Sequence, residues 1–189
     1  MKRLRHITLC CLATLLTACG FHLQGETTLA RPLHRLYLQS PDPYGHLARN
    51  LEQGLKMSHV QLVSDPKQAN AILSILSDTP SQTLLSVSGT QQVRQYNLGV
   101  TVTFEITQPD GTTVINPQTL STTRTLTVQS NDVLGTSNEA SLFYQQMRRS
   151  LAYAILNRIA SRDMTHIINT HYDVKNTNGS PHESKPRTT

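Results

Sequence analysis

The clearest pattern in the chain is a run of strict alternation. Tyr96, Leu98, Val100, Val102, Phe104 and Ile106 hold the even positions, while Asn97, Gly99, Thr101, Thr103, Glu105 and Thr107 fill the odd ones. Successive side chains of a strand point to opposite faces, so this run predicts a long strand with a buried even face and a wet odd face. Pro109-Asp110-Gly111 supplies a turn, and Leu120, Leu126 and Val128 carry the even parity onward against a Ser/Thr/Gln odd face, which predicts a long hairpin. Asn116-Pro117 marks a bulge or bend near that turn, because proline cannot donate to a ladder. Residues 83–88 are expected to pair on the other side of the alternating strand, across Gly89.

Upstream, residues 34–40 alternate Leu36 and Leu38 with Tyr37 and Gln39 and predict a half-buried strand. Asp42-Pro43 reads as a helix start, and Leu47, Leu51 and Leu55 give that helix one apolar stripe ending near Met57. Two short apolar runs follow at 60–63 and 71–76, the second apolar on both faces as an interior strand is. Strand, helix and strand in so short a stretch form a βαβ unit. Further on, Thr136 and Glu139 stand three apart as a capping box. After them Leu142, Phe143, Met147, Leu151, Ala154, Ile155 and Ile159 follow a helical stripe, closed by Arg158 and Arg162. Past His166 the chain turns to Asn, Thr, Ser, Pro, His and Lys without a period, the composition of a mobile tail. The expectation is an α/β (α+β) two-layer sandwich, a mixed sheet of four or more strands with two helices packed on one face.

The first residues have another purpose. Lys2, Arg3 and Arg5 precede an apolar core at 7–16 that is too short for a stable bilayer span and has the shape of a secretory signal. Leu16-Thr17-Ala18-Cys19 then resembles a bacterial lipobox, with cleavage between Ala18 and Cys19. Acyl chains on Cys19 would make it the membrane anchor; two or more chains hold firmly, at about 0.8 kcal/mol per buried CH₂. Cys10 and Cys11 leave with the signal, so the mature chain keeps one thiol in a compartment where thiols usually pair, and acylation gives that thiol a use. Gly20, in place of an aspartate, favours the outer membrane.

This division changes the charge. The whole chain carries 17 Lys and Arg against 12 Asp and Glu, a formal +5. Without Lys2, Arg3 and Arg5 the balance is 14 to 12, or +2, which does not suggest a nucleic-acid partner. After Cys19 no run approaches ~20 apolar residues, so nothing there spans a membrane as a helix. The organisation expected is a signal peptide at 1–18, an acylated leader at 19–33, one domain at 34–165 and a polar tail at 166–189.

Cys-Gly-Phe-His-Leu-Gln-Gly at 19–25 resembles the start of the mature LPS-assembly lipoprotein LptE family. The order of elements after it fits too, as do Asn131-Asp132-Val133-Leu134 leading into a long helix, Asn138-Glu139 near its start and the Met147-Arg148 step. The resemblance implies an outer-membrane lipoprotein, facing the periplasm, that plugs the LptD barrel, helps assemble it and assists delivery of lipopolysaccharide to the outer leaflet. An auxiliary lipoprotein of an ABC-type lipid transporter is the alternative, and an acylated hydrolase stands third.

Catalytic machinery is not legible. Leu85-Ser86-Val87-Ser88-Gly89 lacks the first glycine of a nucleophile elbow, and His166 and His171 stand five apart, a spacing unlike a usual zinc signature. No phosphate-cradling glycine loop appears and no carboxylate pair is argued, so the expectation is a non-enzyme with no metal and no cofactor beyond the lipid on Cys19. Family members are understood to bind lipopolysaccharide through basic residues on a strand and a nearby loop. The loop here reads Gly135-Thr136-Ser137, without Lys or Arg, so that half of the family site does not carry over; the candidates are Arg94 and Arg124, whose even parity puts them at the far end of the otherwise apolar face. With no slip from the turn, positions summing to about 220 face each other; Arg94 then lies opposite Leu126 and Arg124 opposite Tyr96, as diagonal neighbours that can grip one phosphate. The bland alternative is that they snorkel over the core edge or pair with Asp132 or Glu139.

Overall fold

The computed structural model describes residues 29–89, 93–129 and 133–178. The signal segment, the Ala18/Cys19 cleavage point, the anchor at Cys19 and Asp132 lie outside them. The strands are β1 (Arg35–Gln39), β2 (Gln61–Leu62), β3 (Ala71–Val87), β4 (Val93–Thr107) and β5 (Thr113–Gln129). The helices are α1 (His46–Met57), α2 (Val133–Ile159) and α3 (Arg162–Asn178). One mixed sheet runs β2-β1-β3-β4-β5, with β1 parallel to both β2 and β3, and β3, β4 and β5 antiparallel in turn.

The parity of β4 holds. Leu98, Val100, Val102, Phe104 and Ile106 are fully buried and join one core with Leu51 and Leu55 of α1 and Met147, Leu151, Ile155 and Ile159 of α2. Helices therefore cover the even face, and the layers are two. Gly54 faces Leu156, where a Cβ would occupy the space of the leucine Cδ1, so the missing side chain lets α1 approach α2.

Several boundaries differ from expectation. α1 starts at His46 behind Gly45, and Asp42 forms the preceding turn, accepting from Gly45 N–H through its carbonyl at 3.2 Å; its carboxylate is not the cap. α2 starts at Val133, which places Thr136 and Glu139 inside the helix and removes the capping-box reading. Along α2, Leu142 and Ala154 are exposed, whereas Ala152 and Leu156 are buried, because this helix meets α1 on one side and the sheet on the other. The end of the expected leader is packed: Leu29, Ala30 and Leu33 are buried around a 3-10 turn, Arg31–His34.

The largest difference is α3. The aperiodic tail expected from residue 166 is a helix through Asn178, with Met164 and Ile168 buried and Tyr172 against the core. Those three recur every four residues, one helical face, and that geometry outweighs the polar residues between them. Among the described residues the sandwich therefore has three helices.

β3 is far longer than the apolar run at 71–76, because it continues along β4 through the expected pairing stretch at 83–88, while β1 covers it only as far as Ser74. Beyond that point β3 is an edge, which is why Pro80 is tolerated opposite Val100. The far half of the sheet is thus a three-stranded ribbon with both edges unpaired among the described residues.

Candidate functional site

The turn at residues 108–112 is built as its sequence requires. Gly111 takes φ 85°, its N–H donates to Gln108 O at 2.9 Å, and Asp110 Oδ1 accepts from Thr112 N–H at 3.0 Å. Next to the turn Thr107 pairs with Thr113, a sum of 220. Irregularities around Asn116-Pro117 then add residues to β5, so Ile106 faces Ile115 and Phe104 faces Gln118, after which every pair sums to 222. A slip of two preserves parity but moves the arginines. Arg94 lies opposite Val128 and Arg124 opposite Leu98, four positions or about 13 Å apart along the strands. They are not the diagonal neighbours that a shared grip on one phosphate assumed.

Their surroundings differ as well. Arg124 Nη1 donates to Gln146 Oε1 at 3.3 Å and its guanidinium lies over the Phe143 ring, 5.8 Å from the centroid, so it snorkels onto α2. Arg94 is exposed and makes no ion pair or hydrogen bond among the described residues. Beside it, on the same face, are Val87, its direct partner, and Leu84, opposite Tyr96, which are 43% and 50% exposed. A cation next to exposed apolar side chains is an amphiphilic end, suited to a ligand with both a phosphate and an acyl chain. Leu84 and Val87 were not expected as site residues; a strand reaching well past its own core partners was the available signal.

Two other features were not foreseen. Arg148 Nε donates to Asp78 Oδ2 at 2.7 Å, joining α2 to β3 with both side chains largely buried. At the other end of the sheet a groove of about 820 Å³ is lined by Arg31, Asn70, Gln108, Asp110, Tyr172 and Asp173, among others. There Tyr172 donates its hydroxyl hydrogen to Asn70 O at 2.6 Å. Burial pushes the Tyr172 hydroxyl up to about 12, against a lowering hydrogen bond with Gln108 and with a smaller lift from the Asp110 charge. His171 meets Gln108 Nε2 through Nδ1 at 3.4 Å, while His166 is exposed. Among the described residues no cluster of three His, Cys, Asp or Glu is placed to hold a metal.

The face of the ribbon away from the helices is a third feature. Its rows read Thr83–Asn97–Thr125, Ser81–Gly99–Thr123, Thr79–Thr101–Ser121 and Ser77–Thr103–Thr119. Thr103 and Thr119 join hydroxyl to hydroxyl at 3.0 Å, and one row further out Ser86 donates to Gln95 Oε1 at 3.1 Å.

The family model LptE, described as lipopolysaccharide-assembly, matches residues 33–159. A relative in Pectobacterium atrosepticum, named LPS-assembly lipoprotein LptE, is 30% identical over 167 residues, 87% of this chain and 86% of its own. Among solved structures, rare lipoprotein B from Shewanella oneidensis is similar with a TM-score of 0.58 at 25% identity, over 74% of this chain and 98% of that one. A minor lipoprotein from Acinetobacter baumannii is similar with a TM-score of 0.55 at 27% identity, over 68% and 91%.

Proposed function

This chain belongs to the LptE family of lipopolysaccharide-assembly proteins, and from that membership we propose that it is an outer-membrane lipoprotein that seats inside an LptD barrel, helps assemble it and assists delivery of lipopolysaccharide to the outer leaflet. The observation that carries this reading is the extent of the family match, which runs from the start of β1 to the end of α2 and so takes in the whole sheet. The reading is non-catalytic, and the membership favours it over an auxiliary lipoprotein of an ABC-type transporter. Cys19 holds the chain in the envelope through its acyl chains, with the folded domain on the periplasmic side. The glycolipid meets the amphiphilic end of the ribbon, where Arg94 receives a phosphate and Leu84 and Val87 receive apolar chain. Arg124 contributes from about 13 Å further along the strands, its guanidinium shared with Gln146.

Depletion of the chain in its host tests the reading. Lipopolysaccharide labelled at the cell surface should fall several-fold and return when the wild-type chain is restored; an unchanged surface level contradicts the role. Radiolabelled palmitate should enter the wild type and not Cys19→Ala, and equal incorporation contradicts the anchor.

A further inference from the structure

We infer that the open face of the β3-β4-β5 ribbon is the surface through which the chain meets its partner, and that the partner is the hydrated inner wall of an outer-membrane β-barrel. This inference rests on the barrel reading above and adds which side of the molecule faces the wall.

Charge distribution carries the first step. Six consecutive rows of the ribbon, from Ser86–Gln95–Thr127 to Ser74–Glu105, present hydroxyls, amides and one glycine, and Glu105 is the sole charge. The charged side chains lie elsewhere: Arg49, Glu52 and Lys56 on α1, Arg149, Arg158, Arg162 and Asp163 on α2 and the start of α3, Arg94 and Arg124 on the helix side of the sheet. A solvent-facing sheet is ordinarily protected by lysine and glutamate against unwanted pairing, and a face with one charge in six rows largely forgoes that protection. Hydroxyls and amides donate and accept without preference for sign, so they suit a wall that is itself polar, hydrogen-bonding and wet, as barrel interiors are.

Size carries the second step. Ten residues separate Gln95 from Glu105 along β4, which makes the face roughly 33 Å long at the rise of a strand. The apolar band of an outer-membrane barrel is about 25 Å tall, so one ribbon spans the height of the wall. With three strands and their side chains, about 15 Å across, the face offers on the order of 500 Å², against about 800 Å² per partner in an interface of standard size. The unpaired edges of β3 and β5 flank it and extend that area. A closed barrel has no free strand edge of its own, so contact through side chains on a face, and not strand addition, is what such a wall permits.

Photo-crosslinking in intact cells tests this. p-Benzoylphenylalanine is placed at Thr79, Ser121 or Thr123 on the open face, or at Gln53 or Arg149 on the outer helix surface, all five exposed. The open-face positions should crosslink to a barrel protein at least tenfold more strongly than the helix positions. In parallel, Ser121→Lys with Thr123→Lys should cut the co-purified barrel about tenfold without lowering the melting temperature, whereas Gln53→Lys with Arg149→Glu should leave it unchanged. Crosslinks from the helix positions alone, equal crosslinks from both sides, or crosslinks from the open face to a second copy of this chain each overturn the assignment. If the wild type brings down no barrel while its surface charge variants behave alike, the barrel reading itself falls, and this inference with it.

Discussion

Arg148 and Asp78 fasten the long helix to the long strand through one ion pair, 2.7 Å from Nε to Oδ2, with side chains only 20% and 24% exposed. Removing one partner leaves the other charge poorly hydrated, so Arg148→Ala should destabilise the domain by about 2 kcal/mol, while Arg149→Ala, one residue on and exposed, should cost roughly nothing. Asp78→Ala combined with Arg148→Ala should cost less than the sum of the two alone, as measured by urea unfolding of all four proteins. Tyr172 offers a pH test. Its folded value, about 12, lies above the ordinary value near 10, so the neutral hydroxyl contributes fully below pH 10 and its contribution is lost as pH rises from about 10 to about 12. Tyr172→Phe should cost about 1 kcal/mol at pH 7 through the lost hydrogen bond to Asn70, and the gap to the wild type should narrow between pH 10 and pH 12. A gap that stays constant across that range contradicts the burial account. Neither contact was legible in the sequence, because both join residues far apart in the chain. Arg94 and Arg124 were legible as the cations of the helix-side face, but their spacing was not, since it depends on residues that bulges add to β5.

At the scale of elements, the alternation of β4 decides which substitutions the fold tolerates. Val102 is fully buried under the helices and Thr103 lies on the open face beside Thr119. Val102→Asp should cost about 4 kcal/mol or more through a buried charge without a partner, and Thr103→Asp within about 1 kcal/mol; equal melting temperatures would refute the parity. This strand, its hairpin turn, the βαβ start and the stripe of α1 could be read from periodicity because one face of each is buried and the other wet. Periodicity failed where burial is local or two-sided. The expected pairing of residues 83–88 holds, but the stretch of β3 between Ser77 and Thr83 is polar and mostly exposed, so it carries no apolar signal, and its strand character comes from pairing with β4. α3 hides a buried face of Met164, Ile168 and Tyr172 among Asn, Thr and His, and only the four-residue spacing gives it away. Helix starts moved by three or four residues because caps compete with turns: Asp42 closes a turn ahead of α1, and α2 begins before the Thr136–Glu139 pair.

The whole molecule is asymmetric. One side is a three-helix layer, and the other is a long, hydroxyl-rich sheet face whose six ribbon rows carry one charge, Glu105, and whose far half extends beyond β1. The stripes of the sequence pointed to a two-layer sandwich, but a wet strand face reads the same whether it meets water or a polar wall, so its use was not legible there. Membership of the LptE family gives that face a context. The central claim is that this chain works as the partner of an outer-membrane barrel, and affinity purification from detergent-solubilised membranes of its host addresses it directly. A tagged, full-length chain should bring down one abundant outer-membrane β-barrel protein in near-equal amount, identified by mass spectrometry and retained through a detergent exchange that strips peripheral lipid. Recovery of the chain alone, or with a periplasmic transporter component in place of a barrel, would contradict the account.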